Sequence, residues 1–272
     1  MTSSPASAQA PVRPPRPQAV LTVTAVEEVT PNLIRITAGG EGFEALNLNE
    51  CTDKYVKILF ADPRHGLIPP YDLASLRDFA PEKLPRNRTY TLRNVDAEAK
   101  TVTIDFVVHG DDGIAGPWAR SARPGNTLTM SGAGGKYRPT TDAPWHLLIA
   151  DHTALPAVSS AIEAMSTGAS GVVLAAVEHD EDRKLPDAPA GLDVIWVSSD
   201  DELLAALHDL DWQQGTPQVF AHGERETIKS VRKILKHHQV PRESLSISAY
   251  WARGRAEDQF QAEKREPVGQ ID

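Results

Sequence analysis

The hydrophobic pattern of this chain changes period once, and that change limits the folds open to it. From Ala19 to about Tyr137, short runs alternate apolar and polar residues: AVLTVTAVEEVT and NLIRITAG on either side of Thr30 and Pro31, then KYVKILF, NRTYTLRNV, TVTIDFVVHG and NTLTMSG. Period-two alternation marks half-buried strands, and a series of them predicts an antiparallel β-barrel. The Pro-rich stretch at residues 66–87 reads as a long excursion between two of these strands. From about Pro144 the strands become nearly continuous apolar runs, such as WHLLIAD and GVVLAAVEHD. LDVIWVSSD, PQVFAHG and SLSISAYW follow, with the helical stretches TALPAVSSAIEAM, DELLAALHDL and ERETIKSVRKILKHH set among the strands. Strands buried on both faces and alternating with helices predict a parallel sheet in a three-layer α/β/α domain. The expected class is β + α/β, with a mobile arm over residues 1–18 and a barrel domain over 19–140. An α/β domain over 141–254 follows, then a polar tail over 255–272 that starts as a helix and frays.

Composition removes several functions. A length of 272 residues accommodates two domains. The net charge of −9 argues against a nucleic-acid surface, which needs clustered cations, yet it allows one basic pocket for a small anion. No apolar run is long enough to span a bilayer, and the first residues lack the apolar stretch of a secretory signal. The single cysteine, Cys51, rules out an internal disulfide and a cysteine-rich metal cage, as expected of a cytoplasmic protein. His237 and His238 are adjacent and diverge on a helix, no HExxH pattern occurs, and no G-x-S-x-G elbow marks a hydrolase. A protein-held metal is therefore not expected.

The run RTYTLR, residues 88–93, is not an ordinary core strand. On a strand, Arg88, Tyr90 and Leu92 face one way and Thr89, Thr91 and Arg93 the other. A flavin needs an aromatic face, a hydroxyl near its reactive nitrogen and a cation for its diphosphate, and Arg88, Tyr90 and Thr91 carry those three chemistries. A barrel strand with exposed Arg and β-favouring Tyr and Thr is the plainer alternative. Downstream, VVHGDDGIAGPWARSARPG ends a strand at His109, turns through Gly110 and Gly113, and starts a helix near Pro117. Glycines and free N–H groups at a helix start suit a phosphate.

The ordered set RTYTLR, DFVVHG, GPWARSARPGNTLTMSGAGGKY, LLIADHTALPAVSSAIEAM, VFAHGERETIKSVRKIL and AYWARGRAED resembles the siderophore-interacting protein family. Its members are flavin-dependent ferric-siderophore reductases within the ferredoxin-reductase superfamily. The resemblance covers Ala19 to Asp258 and implies FAD in the barrel and NADPH or NADH in the second domain. It places Arg88 at the flavin diphosphate, Tyr90 at the ring and Thr91 at the hydride-accepting edge. Val107, His109, Gly113, Gly116, Pro117 and Trp118 are similar to the segment that holds the diphosphate and adenosine. Many members read Gly-Pro-Ala with the Trp further on, whereas Trp118 here follows Pro117 directly.

In the second domain, Asp151, Thr153 and Ala154 fall at a strand's carboxyl end, where open α/β sheets bind nucleotides. Gly223 and Glu224 fall at another strand-to-helix turn and are similar to the family's Gly-Glu, although a glutamate there also suits a helix start. Trp251 ends the last strand and either meets the cofactors or packs between domains. In VEHDEDRKL, residues 177–185, Glu178 and Asp180 suit a free ribose, while Arg183 and Lys184 suit a 2′-phosphate; the sequence offers both. Lys57, Arg253 and Arg255 are the cations expected to hold an anionic chelate. The implied activity is reduction of Fe(III) in a ferric siderophore by NAD(P)H, or by ferredoxin as donor, releasing Fe(II), which hard oxygen ligands hold less tightly. Outer-sphere electron transfer needs no catalytic acid or base, and none is assigned. The alternatives are an oxidoreductase with a different acceptor and a siderophore carrier without catalysis.

Overall fold

β1 (Gln18–Thr30), β2 (Leu33–Gly39), β3 (Tyr55–Phe60), β4 (Arg86–Thr91), β5 (Asn94–Asp96), β6 (Thr101–Val107) and β7 (Thr127–Gly134) form one sheet in the order β4-β3-β7-β1-β2-β6-β5. Each pairing is antiparallel. The computed structural model describes residues 17–108, 110 and 113–271, so the arm at 1–16 and His109 lie outside the described residues. The sheet's two edge strands, β4 and β5, are separated in sequence by Leu92 and Arg93 alone. The Leu92 amide donates to the Lys54 carbonyl (2.7 Å) and the Arg93 amide to the Thr103 carbonyl on β6 (2.8 Å). One bent stave therefore joins both ends of the sheet and closes it into a barrel, leaving no edge at that corner. Inside lie Leu21, Ile36, Ile58, Val102, Ile104, Phe106, Leu128 and Met130, the alternate residues of their strands.

β8 (Trp145–Asp151), β9 (Ser170–Ala176), β10 (Gly191–Val197), β11 (Pro217–Glu224) and β12 (Leu245–Trp251) form the second sheet in the order β10-β9-β8-β11-β12. All of its pairings are parallel. Leu148, Ala150, Val173 and Ala175 pack under one helix, α3 (Leu155–Ala164). Their neighbours Leu147, Ile149, Val172 and Leu174 pack on the other face under α4 (Asp200–His208) and α5 (Arg225–His237). Both faces are covered, which is why these strands read as continuous apolar runs. The chain reverses its direction of growth between β8 and β11, so the ligand-binding crevice of such a sheet lies at their carboxyl ends.

Three sets of contacts fix one domain on the other. Arg93 grips Glu163 of α3 with both terminal nitrogens (2.7 and 2.6 Å), and the Ser160 hydroxyl donates to the Arg93 carbonyl (2.8 Å). Buried Asp182 accepts from the Thr30 hydroxyl and from the Asn32 side-chain Nδ2 (2.8 Å) at the β1–β2 turn. Asp53 accepts from the amides of Lys136 (2.8 Å) and Tyr137 (2.9 Å), tying down the connection between domains.

Two sequence expectations change. The excursion between β3 and β4 holds a short helix, α1 (Leu73–Phe79), and the next short helix, α2 (Ala115–Ser121), begins two residues before Pro117, which becomes its third residue. The first-turn N–H groups have no intrahelical partner, so a proline is tolerated there as well. The tail does not fray after its helix start. It forms a helix at Glu257–Glu263 whose Phe260 is 1% exposed and packs with Ala249 and Ala252, and the Lys229 ammonium donates to the Val268 carbonyl (2.9 Å). Burying one Phe is worth roughly 1.5–3 kcal/mol, enough to dock so short a segment.

On the β11–β12 side, the sheet face carries Phe220, His222 and Tyr250 toward the barrel. His222 is buried, with rings of Phe220 and Tyr250 at 4.1 and 4.8 Å. Its Nε2 meets the Ser246 hydroxyl (3.1 Å), and its Nδ1 has no partner among the described residues. Burial disfavours the charged ring and holds its pKa down to about 3. Below pH 6.5 the unfolded chain takes up a proton here that the folded chain refuses until about pH 3, so stability falls as pH drops through that window, approaching about 1.4 kcal/mol per pH unit. In urea unfolding of His222→Gln, the difference in stability between pH 7 and pH 5 should be smaller than in the parent by about 2 kcal/mol; equal differences would count against a buried neutral imidazole.

Candidate functional site

A cleft of about 1060 Å³ opens where β3, β4 and the end of β7 face β12 and the C-terminal segment. That is at the top of the roughly 300–1,000 Å³ typical of small-molecule sites, so it has room for more than one ligand. Arg88, Thr89, Tyr90 and Thr91 all line it, with Val107 beside them on β6. The Tyr90 ring rests on Phe106 (4.5 Å between centroids), and Phe106 rests on Trp118 (5.6 Å). That stack fixes the plane of Tyr90 as one aromatic wall, and burial pushes its phenol well above the usual range. Thr91 is buried, and Tyr250 lines the same cleft from β12. Arg88 donates to the Asn87 carbonyl (2.7 Å) and lies 3.6 Å from Asp258.

The glycine-rich segment after β6 sits elsewhere. Gly113 has φ +84°, a left-handed conformation that a side chain would strain. Gly116 and Pro117 lie in the first turn of α2, and Trp118 packs at the rim of the barrel core against Phe60 (5.5 Å) and Phe106. None of these four is brought to the cleft wall.

At the switch point, Asp151 organises its surroundings. One oxygen accepts from the Thr153 amide (2.9 Å) and hydroxyl (2.5 Å), and the other accepts from the Trp251 indole N–H (2.6 Å). Burial raises the pKa of this carboxyl even so. Gly223 is required beside it, because a Cβ there would fall 2.8 Å from the Asp151 Oδ2. Thr153 and Trp251 thereby reach the cleft, while Ala154 is fully buried in the core. Glu224 is 3% exposed and caps α5. Its Oε2 accepts from the amides of Glu226 (2.6 Å) and Thr227 (3.1 Å), and its Oε1 accepts from the Arg253 amide (3.0 Å). Of the two roles open to it in the sequence, the structure shows the capping one.

Of the three cations expected to hold a chelate, Lys57 lines the cleft. Arg253 instead pairs with Asp200 (2.8 Å) and Arg255 with Glu263 (2.7 Å), and neither reaches the cleft wall. Lys264, which the sequence reading passed over, lines it from the docked tail, its ammonium 4.6 Å from the Phe260 ring centre. Burial lowers its pKa. Lys136 and Arg242 add positive charge to the lining. The signal for Lys264 was its position four residues after Phe260, one helical turn on from the residue that docks the tail.

Among the described residues, no three His, Cys, Asp or Glu side chains are grouped to hold a metal ion, and no helix is long and apolar enough to cross a membrane. The donor set fits a flavin: an aromatic wall at Tyr90, a hydroxyl at Thr91 and a guanidinium at Arg88, all along one strand of the cleft.

The chain matches the siderophore-interacting FAD-binding domain over residues 22–137 and the siderophore-interacting protein domain over residues 143–254. It is 30% identical over 244 residues to the ferric vibriobactin reductase ViuB of Vibrio cholerae, covering 87% of this chain and 90% of the relative. With the NADPH-dependent ferric-chelate reductase of Escherichia coli it shares 26% identity over 235 residues, 85% and 91% of the two chains. The crystal structure of the siderophore-interacting protein SipS from Aeromonas hydrophila superposes with a TM-score of 0.79 at 26% identity, covering 94% of this chain and 99% of that one. By its fold and by both matched domains, this chain belongs to the siderophore-interacting protein family.

Proposed function

We propose that this chain takes a hydride from a nicotinamide dinucleotide onto FAD and passes single electrons to Fe(III) in a ferric siderophore. One observation carries the reading: a single cleft joins the flavin-type strand at Arg88, Tyr90 and Thr91, the switch-point residues Thr153 and Trp251, and the ammonium groups of Lys57 and Lys264. FAD bound there would supply the conversion of a two-electron donor into one-electron steps.

The protein's own residues supply placement and charge. Arg88 neutralises a diphosphate, Tyr90 sets the ring plane, and Thr91 presents a hydroxyl at the reactive edge. Asp151 orients Trp251 and Thr153 where the sheet receives a nicotinamide. Lys57 and Lys264 hold an anionic chelate at the cleft, and the tail helix and Trp251 narrow the approach of water and other oxidants. Val107, His109, Gly113, Gly116, Pro117 and Trp118 complete the diphosphate and adenosine side in this reading, with Gly223 giving the nicotinamide room beside Asp151. Release follows because Fe(II) is held less tightly by hard oxygen donors. Reduction and release in the cytoplasm fit a chain with one free thiol, Cys51.

The test is an anaerobic visible spectrum of the FAD-loaded protein with NADH or NADPH, then with a ferric siderophore and a ferrous trap. Flavin bands that bleach with the dinucleotide and return as Fe(II) appears are the expected result. A protein that binds the chelate but takes up no FAD would be a carrier, and bleaching only by reduced ferredoxin would change the donor.

Two variants test the parts. Arg88→Ala removes a charge-assisted contact worth about 1.5–3 kcal/mol, so FAD affinity measured by fluorescence quenching should fall about ten- to hundredfold, and Tyr90→Ala should also lose bound FAD. Lys264→Ala and Lys57→Ala should each raise KM for the chelate several-fold with little change in kcat, the mark of a residue that binds ground and transition states alike. Because burial lowers the Lys264 pKa, its ammonium is lost before an ordinary lysine's as pH rises. The parent's KM should therefore climb on the alkaline side, and Lys264→Arg should flatten that climb.

A further inference from the structure

We infer that the adenosine end of the nicotinamide site is built for a free ribose 2′-hydroxyl and turns away a 2′-phosphate, so that this chain takes NADH in preference to NADPH. The inference rests on the nicotinamide reading above. In a sheet of this topology the adenosine ribose lies at the carboxyl end of the domain's second strand, here β9. The Val177 amide donates to the Val197 carbonyl (2.8 Å), so the segments leaving β9 and β10 run side by side there.

A phosphate in this place has three kinds of partner to draw on: a guanidinium, a free backbone N–H, or the start of a helix. The chain's own groups draw on each kind, the buried Arg183 Nε alone of its guanidinium nitrogens having no partner among the described residues. Arg183 pairs with Asp180 (2.8 Å) and donates through its other terminal nitrogen to the Ser198 hydroxyl (2.8 Å). The Ser198 amide donates to the Glu202 carboxylate (2.7 Å). The nine-residue helix α4 is capped by Ser199, whose hydroxyl accepts from the Glu202 amide (3.2 Å), and its first turn carries Asp200, Asp201 and Glu202. Those carboxylates neutralise the helix start that would otherwise draw an anion. Arg253 is held by Asp200. Lys184 is exposed, where solvent and salt screen its charge.

A phosphate monoester brings a charge of about −1.5 to −2 into a neighbourhood that also holds Glu178 and Glu181. It would have to displace Asp180 from Arg183 and still face the remaining acids. A ribose diol asks only for one acceptor, and Glu178, exposed at the end of β9, presents a carboxylate for it. The Escherichia coli relative is named for NADPH, so the preference inferred here belongs to this chain's own residues.

The experiment uses the full chain loaded with FAD. Calorimetry compares adenosine 5′-monophosphate with adenosine 2′,5′-bisphosphate, and anaerobic bleaching compares NADH with NADPH. The bisphosphate should bind at least tenfold more weakly, and NADH should bleach the flavin at the lower concentration. Asp180→Ala, an exposed change that frees Arg183, should narrow the gap between the two fragments at least threefold. Bisphosphate binding as tight as the monophosphate, or a gap unmoved by Asp180→Ala, would overturn this inference while leaving the nicotinamide reading in place. If neither fragment binds and neither dinucleotide bleaches a flavin that dithionite still reduces, the nicotinamide reading falls and this inference falls with it.

Discussion

Arg93 holds the molecule together at one corner. Its amide closes the barrel onto β6, its carbonyl receives the Ser160 hydroxyl of α3, and its guanidinium grips Glu163 on the same helix. Backbone and side chain of one residue thus set both the closure of the first sheet and the angle at which the second domain meets it. The guanidinium is well shielded, its side chain 13% exposed, and bidentate geometry makes such a pair stronger and more directional than a surface ion pair. The cleft is the space this corner leaves between the domains, two residues beyond Thr91.

None of the cleft's walls is unusual alone. β4 is a barrel strand, β12 is an edge strand of a parallel sheet, and the tail helix is a short docked segment. Put together, they set an aromatic plane, a hydroxyl and a guanidinium on one side and two ammonium groups on others. The overall charge of −9 hides this local reversal. Among the described residues lining the cleft, Lys57, Arg88, Lys136, Arg232, Arg242 and Lys264 outnumber the acids Asp53, Asp105 and Glu257, and Asp105 is paired with Arg35 (2.7 Å). The cations therefore dominate what an incoming anion meets.

The periods in the sequence carry the fold because burial on one face or two is a local property of a strand, readable residue by residue. Site geometry is less local. Arg253 and Arg255 stand next to Trp251 in the chain, but each is claimed by an acid distant in sequence or one helix further on, Asp200 and Glu263. The docked tail was not legible because Phe260 and Ile271 are apolar residues far apart in a mostly polar stretch, and their partners lie on other elements. Helix α2 starts early for a related reason: proline is compatible with any first-turn position, so Pro117 marks the turn without marking its first residue. That Arg88, Tyr90 and Thr91 share one cleft was legible because the three fall within four consecutive residues of one strand.

The single bent stave at the barrel corner also dictates where this chain can change length over evolutionary time. The excursion between β3 and β4 joins strands that are already paired along their length, so residues can be added or lost there while the register holds. Between Thr91 and Asn94 there is no such slack. One additional residue would move Arg93 away from Thr103, Ser160 and Glu163 together. Lineages carrying this architecture should accordingly diversify in the excursion and keep the two-residue corner at constant length.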